Sequence, residues 1–178
     1  PFMSLQGISV IIPNYNGMDL LPKILPPLFR ALAATGMPFE VIVSDDCSKD
    51  ESVAFLQNEF PSIIVITAKE NRGFSHNCNK AIYKAQFDYV LLLNSDVILT
   101  ENYFAPLMKY FTEDDTFGVM GRIIGWDDDK IQDGAKYPSF QGAKIKTAGN
   151  YIVENAKEGD WQYSMYLSGA RSEEHTSE

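Results

Sequence analysis

Cysteine is scarce: Cys47 and Cys78 are the only two among 178 residues. They lie far apart and form no CxxC pair, which argues against a zinc site. Two isolated thiols fit a reducing compartment. No apolar run approaches the ~18 residues of a membrane-spanning helix. The N-terminus shows no charged segment followed by an apolar one, so no signal peptide is read from it. Pro1 is an unusual first residue and points to a native start that is missing or processed. Basic residues are few, with 15 Lys and Arg against 24 Asp and Glu and a net charge of -9. That balance argues against a general nucleic-acid binder, which needs a basic face. An acidic protein that handles an anionic substrate must receive it with a metal or with local N–H groups. GxGxxG is absent, so a nucleotide is not expected in the Rossmann manner, and the absence of GxxxxGK[ST] excludes a P-loop. No internal repeat or low-complexity segment is evident. What is present is ordinary for a folded domain: 45% hydrophobic and 22% charged residues, in a chain long enough to bury a sizeable core.

Strand and helix signals alternate four times. Ile8 to Pro13 is a β-branched run ended by proline and reads as a buried strand. Asn14-Tyr15-Asn16-Gly17 is turn chemistry. A helical pattern follows from about Met18 to Ala34, with Leu20, Leu21, Ile24, Leu25, Leu28 and Leu32 at helical spacing. Pro26 and Pro27 should kink or interrupt it, and Gly36 and Pro38 end it. Phe39 to Ser44 is the second strand, and Ser48 or Asp50 can cap a helix over about Glu51 to Glu59. Ile63 to Ile66 is the third strand. A loop at Asn71 to Ser75 leads into a helix through about Ala85. Val90 to Leu93 is the fourth strand, four apolar residues in a row and therefore buried. A helix over about Glu101 to Phe111 and a fifth strand over Phe117 to Ile124 are expected next. This alternation predicts an α/β fold with a Rossmann-like, mostly parallel sheet flanked by helices.

In such a sheet, ligands bind just past the carboxyl ends of the strands. Three polar segments fall there: Asn14 to Gly17, Asp45 to Asp50, and Asn94-Ser95-Asp96. Their convergence is the functional signal. Asp96 is a hard oxygen donor suited to Mg²⁺ or Mn²⁺ bridging to phosphate. Asn, Ser and Asp are equally turn formers, so the triplet alone leaves both readings open. Asp45 and Asp46, acceptor-only when ionised, suit a base N–H and ribose hydroxyls. Tyr15 can stack on a base or simply pack. His76 reads as a surface or packing residue.

These segments, taken in order, resemble the motifs of family 2 glycosyltransferases (GT2): Ile8 to Gly17, Glu40 to Ser52, Asn71-Arg72-Gly73-Phe74-Ser75, and Leu92-Leu93-Asn94-Ser95-Asp96. The resemblance covers about residues 7 to 125, and four motifs in order and at matching spacing make it specific. It implies the GT-A fold, nucleotide-diphospho-sugar transferase-like, over residues 1–170. The implied activity is inverting transfer of a hexosyl group. The sugar would pass from a UDP-, GDP- or dTDP-linked donor to a hydroxyl of a saccharide or lipid-linked acceptor, as in cell-wall or polysaccharide synthesis. By analogy Pro13, Asn14, Tyr15, Asp45 and Asp46 hold the nucleoside, and Asn71 and Arg72 are donor contacts. Asn94-Ser95-Asp96 corresponds to the DXD motif, with Asp96 binding Mn²⁺ or Mg²⁺. Asn94 departs from the pattern and leaves Asp96 the motif's single anionic ligand. A cytoplasmic location, or a peripheral one at the inner face of a membrane, would follow. The alternative is a non-catalytic nucleotide- or sugar-binding relative. A nucleotidyltransferase, with a related core, would need a basic glycine-rich N-terminal loop, and Pro13 to Gly17 carries no Lys or Arg.

Past Trp126 the pattern loosens. Asp127-Asp128-Asp129 reads as a solvated loop, Ile131 to Asn150 as hairpins or an irregular excursion, and Tyr163 to Leu167 as a strand. In relatives the general base lies some way after a segment like Ser168-Gly169-Ala170, so it is expected beyond residue 170. Residues 171–178, Arg-Ser-Glu-Glu-His-Thr-Ser-Glu, are what the codons AGA TCG GAA GAG CAC ACG TCT GAA encode, a widely used sequencing-adapter string. The tail is therefore expected to be non-native or a disordered terminus, with His175 outside the catalytic machinery. A chain incomplete there is expected to be poorly soluble, with apolar surface exposed around Tyr163 to Leu167, and to turn over no substrate.

Overall fold

A computed structural model describes residues 6–113, 115–125, 130–151 and 163–164. They fall into two compact units, one running to Asn102 and the other starting at Tyr103.

The first unit is built on a four-stranded parallel sheet. Its strands are β1 (Ile8–Asn14), β2 (Phe39–Asp45), β3 (Ile64–Thr67) and β4 (Tyr89–Leu92), in the order β3-β2-β1-β4. β1 is central and all seven of its residues are buried. That explains the β-branched Ile8, Val10, Ile11 and Ile12, since a strand covered on both faces has no solvent side; the buried Ser9 hydroxyl donates to Glu40 at 2.6 Å. The register pairs Ile8 with Phe39 and carries through to Asn14 opposite Asp45, so β1 and β2 end level with each other. β4 joins the other side of β1, from Ile8 opposite Tyr89 to Ile11 opposite Leu92. The expected full burial of Val90 to Leu93 does not hold, because β4 is an edge strand and leaves Val90 45% and Leu92 36% exposed, with Leu93 buried. The Leu93 N–H donates to the Ile11 carbonyl at 2.9 Å and continues the ladder by one residue.

Three helices connect these strands: α1 (Leu21–Ala34), α2 (Ser52–Glu59) and α3 (Phe74–Ile82). α1 buries Leu21, Ile24, Leu25, Leu28, Ala31 and Leu32, one apolar stripe at helical spacing. Each large side chain on it gains roughly 1.5–3 kcal/mol from burial. The expected interruption at Pro26 and Pro27 does not occur: α1 is continuous across both prolines. Pro26 is exposed and Pro27 half-buried, so their missing N–H groups leave the apolar stripe intact. On α1, Phe29 sits 6.0 Å from Phe39 and 5.9 Å from Phe60, centroid to centroid, which ties the helix to β2 and to the end of α2. α3 lays Ala81 on Ile11 and Ile42, with Ile66 and Ala85 at the edge of the cluster. α3 ends at Ile82, three residues before the expected Ala85, because Lys84 and Ala85 instead make short turn bonds to Ala81 and Ile82.

The second unit departs further from expectation. The long helix from Glu101 is a single turn, α4 (Ala105–Met108), followed by a 3-10 turn at Lys109–Thr112. Pro106 is the cause: proline fits only the first turn of a helix, so none can run through it from Glu101. The expected fifth strand shrinks to β5 (Ile123–Ile124), which pairs antiparallel with β6 (Ile131–Asp133) and joins no parallel sheet. Phe117 is 96% exposed, and Gly118 and Gly121 dilute the run that follows it. β7 (Ala135–Gln141) and β8 (Lys144–Tyr151) form an antiparallel hairpin, in keeping with the expectation for that stretch. Of the strand expected over Tyr163 to Leu167, only Tyr163 and Ser164 are described, and neither is in a strand. Asp127 to Asp129, Ser168 to Ala170 and the tail with His175 lie outside the described residues.

Candidate functional site

The carboxyl ends of β1, β2 and β4 come together at one edge of the sheet, as the polar segments suggested. A cavity of about 360 Å³ opens there, within the roughly 300–1,000 Å³ range of small-molecule sites. Pro13, Asn14 and Tyr15 line it from β1, and Asn94, Ser95 and Asp96 from the segment after β4. Asp46 lines it from the end of β2, and Asn71, Gly73, Phe74 and Asn77 from the loop into α3 and its first turns. Leu20 completes the wall. The two aromatic rings, Tyr15 and Phe74, are 53% and 48% exposed and present flat apolar surface to a ligand.

Asp45 and Asp46 are adjacent in sequence and serve different partners. The Asp45 carboxylate accepts from Asn14 Nδ2 at 2.8 Å, from the Ser48 N–H at 3.0 Å and from the Ser48 hydroxyl. Ser48 Oγ in turn accepts from the Asn16 N–H at 2.8 Å, and Asn16 Oδ1 accepts from the Lys49 N–H at 2.8 Å. This web fastens the turn after β1 to the turn after β2. Gly17 belongs to it: a Cβ there would lie 2.2 Å from Asn14 Oδ1, so any larger residue would have to displace the Asn14 side chain from the web. Asp46 turns the other way. Its oxygens accept from the Arg72 N–H at 3.1 Å and the Gly73 N–H at 2.8 Å, which holds the loop ahead of α3 against the strand end. Gly73 sits at φ 84°, ψ 169°, a conformation nearly confined to glycine.

Nine of the ten expected site residues are thus placed as follows: eight line the cavity, and Asp45 lies in the hydrogen-bonded web beneath the β1–β2 turns. The tenth, Arg72, contributes its backbone N–H to Asp46, while its side chain is exposed and 4.0 Å from Glu70. Sequence reasoning passed over Leu20, Gly73, Phe74 and Asn77. Asn77 gave no signal in the sequence; its burial one turn after Gly73 on α3 is seen only in the structure.

Asp96 has the electrostatics of a cation ligand. Its Oδ1 is buried and meets no hydrogen-bond donor among the described residues. Burial raises its pKa against the weaker pull of its own backbone hydrogen bond. An anion held without a donor gains most from a cation placed on it. Among the described residues no three His, Cys, Asp or Glu side chains cluster as a metal cage. The donor set fits Mg²⁺ or Mn²⁺ bound through one carboxylate and completed by substrate phosphates and water, and it does not fit an all-protein cage.

A parallel sheet of this order flanked by helices, with a polar cavity past its strand ends, is that of a GT-A fold. Residues 9–166 match the family model for Glycosyl transferase family 2, and the chain belongs to that family. It is 32% identical over 116 residues to the uncharacterized glycosyltransferase YfnE of Bacillus subtilis (strain 168), covering 64% of this chain and 29% of that protein. It is 28% identical over 164 residues to glycosyltransferase GlyG of Streptococcus pneumoniae, covering 88% of this chain and 52% of GlyG. The chain thus spans between about a quarter and a half of the length of these relatives. Among solved structures, Staphylococcus aureus TarS 1-349 in complex with UDP-GlcNAc superposes with a TM-score of 0.51 at 25% identity, covering 66% of this chain and 38% of that one.

Proposed function

We propose that the cavity holds a nucleoside-diphosphate sugar and that the protein transfers the sugar, with inversion, to an acceptor hydroxyl. The observation that carries this reading is Asp96: a buried carboxylate oxygen with no donor among the described residues, in the lining of a cavity walled also by exposed aromatics and by amides. Tyr15 and Phe74 offer stacking surface for a nucleobase. Asn14 Oδ1 is buried and bonded to no donor among the described residues, and Asp46 is an acceptor for base or ribose N–H and O–H groups. TarS, solved with UDP-GlcNAc, supports a UDP-linked donor as the first to test.

Asp96 would hold Mn²⁺ or Mg²⁺ against the diphosphate. Such an ion supplies Lewis-acid stabilisation of the leaving group. The protein's own part is to orient the donor. The Asp45 web fixes the β1–β2 turns, Asp46 fixes the loop into α3, and the N-terminal end of α3 adds a partial positive charge beside the diphosphate. The acceptor, a saccharide or a lipid-linked glycan, attacks through a hydroxyl whose proton passes to a general base that we leave unassigned. Deprotonation of that kind contributes ~10²–10⁴-fold in rate.

The test is calorimetric titration of UDP and then GDP, with and without Mn²⁺, into the protein and into Asp96→Ala. Metal-dependent binding that disappears in the variant is the expected result. A folded protein that binds neither nucleotide, or that binds equally well in Asp96→Ala with metal present, would overturn the reading.

A further inference from the structure

The cavity is short of positive charge. Among the described residues its lining includes two carboxylates, Asp46 and Asp96, and no lysine, arginine or histidine. Asp46 is engaged elsewhere, since its oxygens accept the Arg72 and Gly73 N–H groups. Asp96 is then the carboxylate of the wall with an oxygen that meets no donor among the described residues. Asn94 stands two residues before it. The Val97 N–H donates to the Asn94 carbonyl at 3.2 Å and closes the turn that carries both side chains. Asn94 is 6% exposed and lines the cavity as Asp96 does. Turn formation accounts for an asparagine at this place, but not for burying its side chain in the same cavity wall as Asp96.

A divalent cation site made of oxygens gains affinity with the number of anionic ligands it offers. One carboxylate and one neutral amide hold Mg²⁺ or Mn²⁺ weakly. A diphosphate meets the opposite difficulty: it enters a wall of two carboxylates with no side-chain cation to receive it. Each ligand brings the charge that the other lacks. A second carboxylate at position 94 would capture the ion without nucleotide, but in the empty cavity it would face Asp96 charge against charge. The neutral amide avoids that repulsion and leaves the cation site unfinished until the diphosphate arrives. We infer that Asn94 makes the divalent cation and the nucleoside diphosphate obligate co-ligands, bound together and neither held appreciably alone. This coupling rests on the sugar-donor reading and assigns to Asn94 a role which that reading leaves open.

Free Mn²⁺ is followed by its electron paramagnetic resonance signal as protein is added, first alone and then with UDP, with the Mn²⁺–UDP complex of free solution subtracted. UDP is titrated by calorimetry with and without Mn²⁺, and GDP is used in both arms if UDP does not bind. In the parent protein the nucleotide should tighten Mn²⁺ at least about tenfold, and Mn²⁺ should tighten the nucleotide by the same factor, because coupling between two binding equilibria is reciprocal. Asn94→Asp should bind Mn²⁺ without nucleotide at least about tenfold more tightly than the parent, and its coupling factor should shrink. Its thermal midpoint should lie below the parent's in EDTA and rise further on addition of Mn²⁺ alone. Mn²⁺ bound by the parent equally well with and without nucleotide would overturn the coupling while sparing the sugar-donor reading. So would an Asn94→Asp variant that binds Mn²⁺ alone only as the parent does. The parent's coupling factor needs no variant and decides the matter should Asn94→Asp not fold. Failure of Mn²⁺ and either nucleotide to bind even together would overturn the sugar-donor reading, and this coupling with it.

Discussion

Asn77 and Ser44 hold each other through two hydrogen bonds, each 2.6 Å long: Ser44 Oγ donates to Asn77 Oδ1, and Asn77 Nδ2 donates to the Ser44 carbonyl. Both residues are buried. The pair locks the second turn of α3 to the last turn-facing residues of β2, and so fixes the cavity wall that Gly73, Phe74 and Asn77 provide. Asn77→Ala leaves the Ser44 carbonyl without that donor and should cost about 1–3 kcal/mol. Asn77→Asp should cost more near neutral pH. It keeps an acceptor for the Ser44 hydroxyl but turns an oxygen, and a buried charge, toward the carbonyl. Urea unfolding of the two variants gives the order; Asp milder than Ala would refute the assignment.

This lock shows where the sequence was silent. β1 and most of β2 were legible because their apolar runs are buried, the edge strands β3 and β4 because their short apolar runs are bounded by turn residues although they stay partly exposed, and the carboxyl ends were marked by the switch to Asn14, Asp45 and Asn94. Nothing in the local pattern told that Asn77 faces inward, since a polar residue on a short helix ordinarily points to water. Leu20 and Phe74 were equally silent, because an apolar residue beside a turn reads as packing. The division of labour between Asp45 and Asp46 depends on which neighbour each carboxylate meets, Asn14 and Ser48 in one case and the Arg72–Gly73 backbone in the other. Those partners lie three to thirty-one residues away in the chain. Past Tyr103 the reading weakened for another reason. Pro106 and the glycines near Phe117 shorten elements whose hydrophobic content alone suggested a longer helix and strand.

Asp50 gives the fold a dependence on pH. Its Oδ2 accepts from the Met18 N–H at 2.9 Å, and its Oδ1 from the N–H and hydroxyl of Ser52 at the start of α2. Desolvation pushes its pKa up, but these hydrogen bonds outweigh it and the net shift is downward. A carboxylate held below its ordinary range stabilises the fold above the unfolded pKa and loses that contribution as pH falls through the folded pKa. Asp50→Asn should therefore be destabilised by about 1 kcal/mol near neutral pH, the size of a lost helix cap. The gap from the parent should close as the pH drops below the ordinary aspartate range. A gap that stays constant down to acid-induced unfolding would show that the charge plays no part.

The two thiols should react in a fixed order. Cys78 is 4% exposed on α3, and burial pushes its thiol up to about 11. At pH 8 only about one molecule in a thousand then carries the thiolate that reacts with an alkylating agent. Cys47 is half-buried in the turn after β2, with Lys49 Nζ at 3.3 Å from its sulfur. Iodoacetamide followed by mass spectrometry should label Cys47 in the folded protein and Cys78 only once urea has unfolded it. Equal native labelling of both would mean that α3 opens far more readily than its packing on Ile11 and Ile42 implies.

Gly73 separates backbone geometry from side-chain contact at the cavity. A Cβ there would meet nothing within 4 Å, so an alanine has room. The obstacle is the dihedral pair, φ 84° and ψ 169°, which costs an L-residue of order 1–3 kcal/mol. Gly73→Ala must either bear that strain or rotate out of it, and rotation breaks the 2.8 Å bond from the Gly73 N–H to Asp46. Rotation would also carry Asn71 and Phe74 away from the cavity. Stability should therefore fall by about 1–3 kcal/mol, and affinity for the nucleotide should fall with it. Ser75→Ala, two residues on and exposed on α3, should change neither by more than about 0.5 kcal/mol. Measured side by side by thermal unfolding and nucleotide titration, the two variants isolate the loop's conformation as the cause. If Gly73→Ala loses stability but binds nucleotide as the parent does, the Asp46-held loop supports the fold without shaping the site.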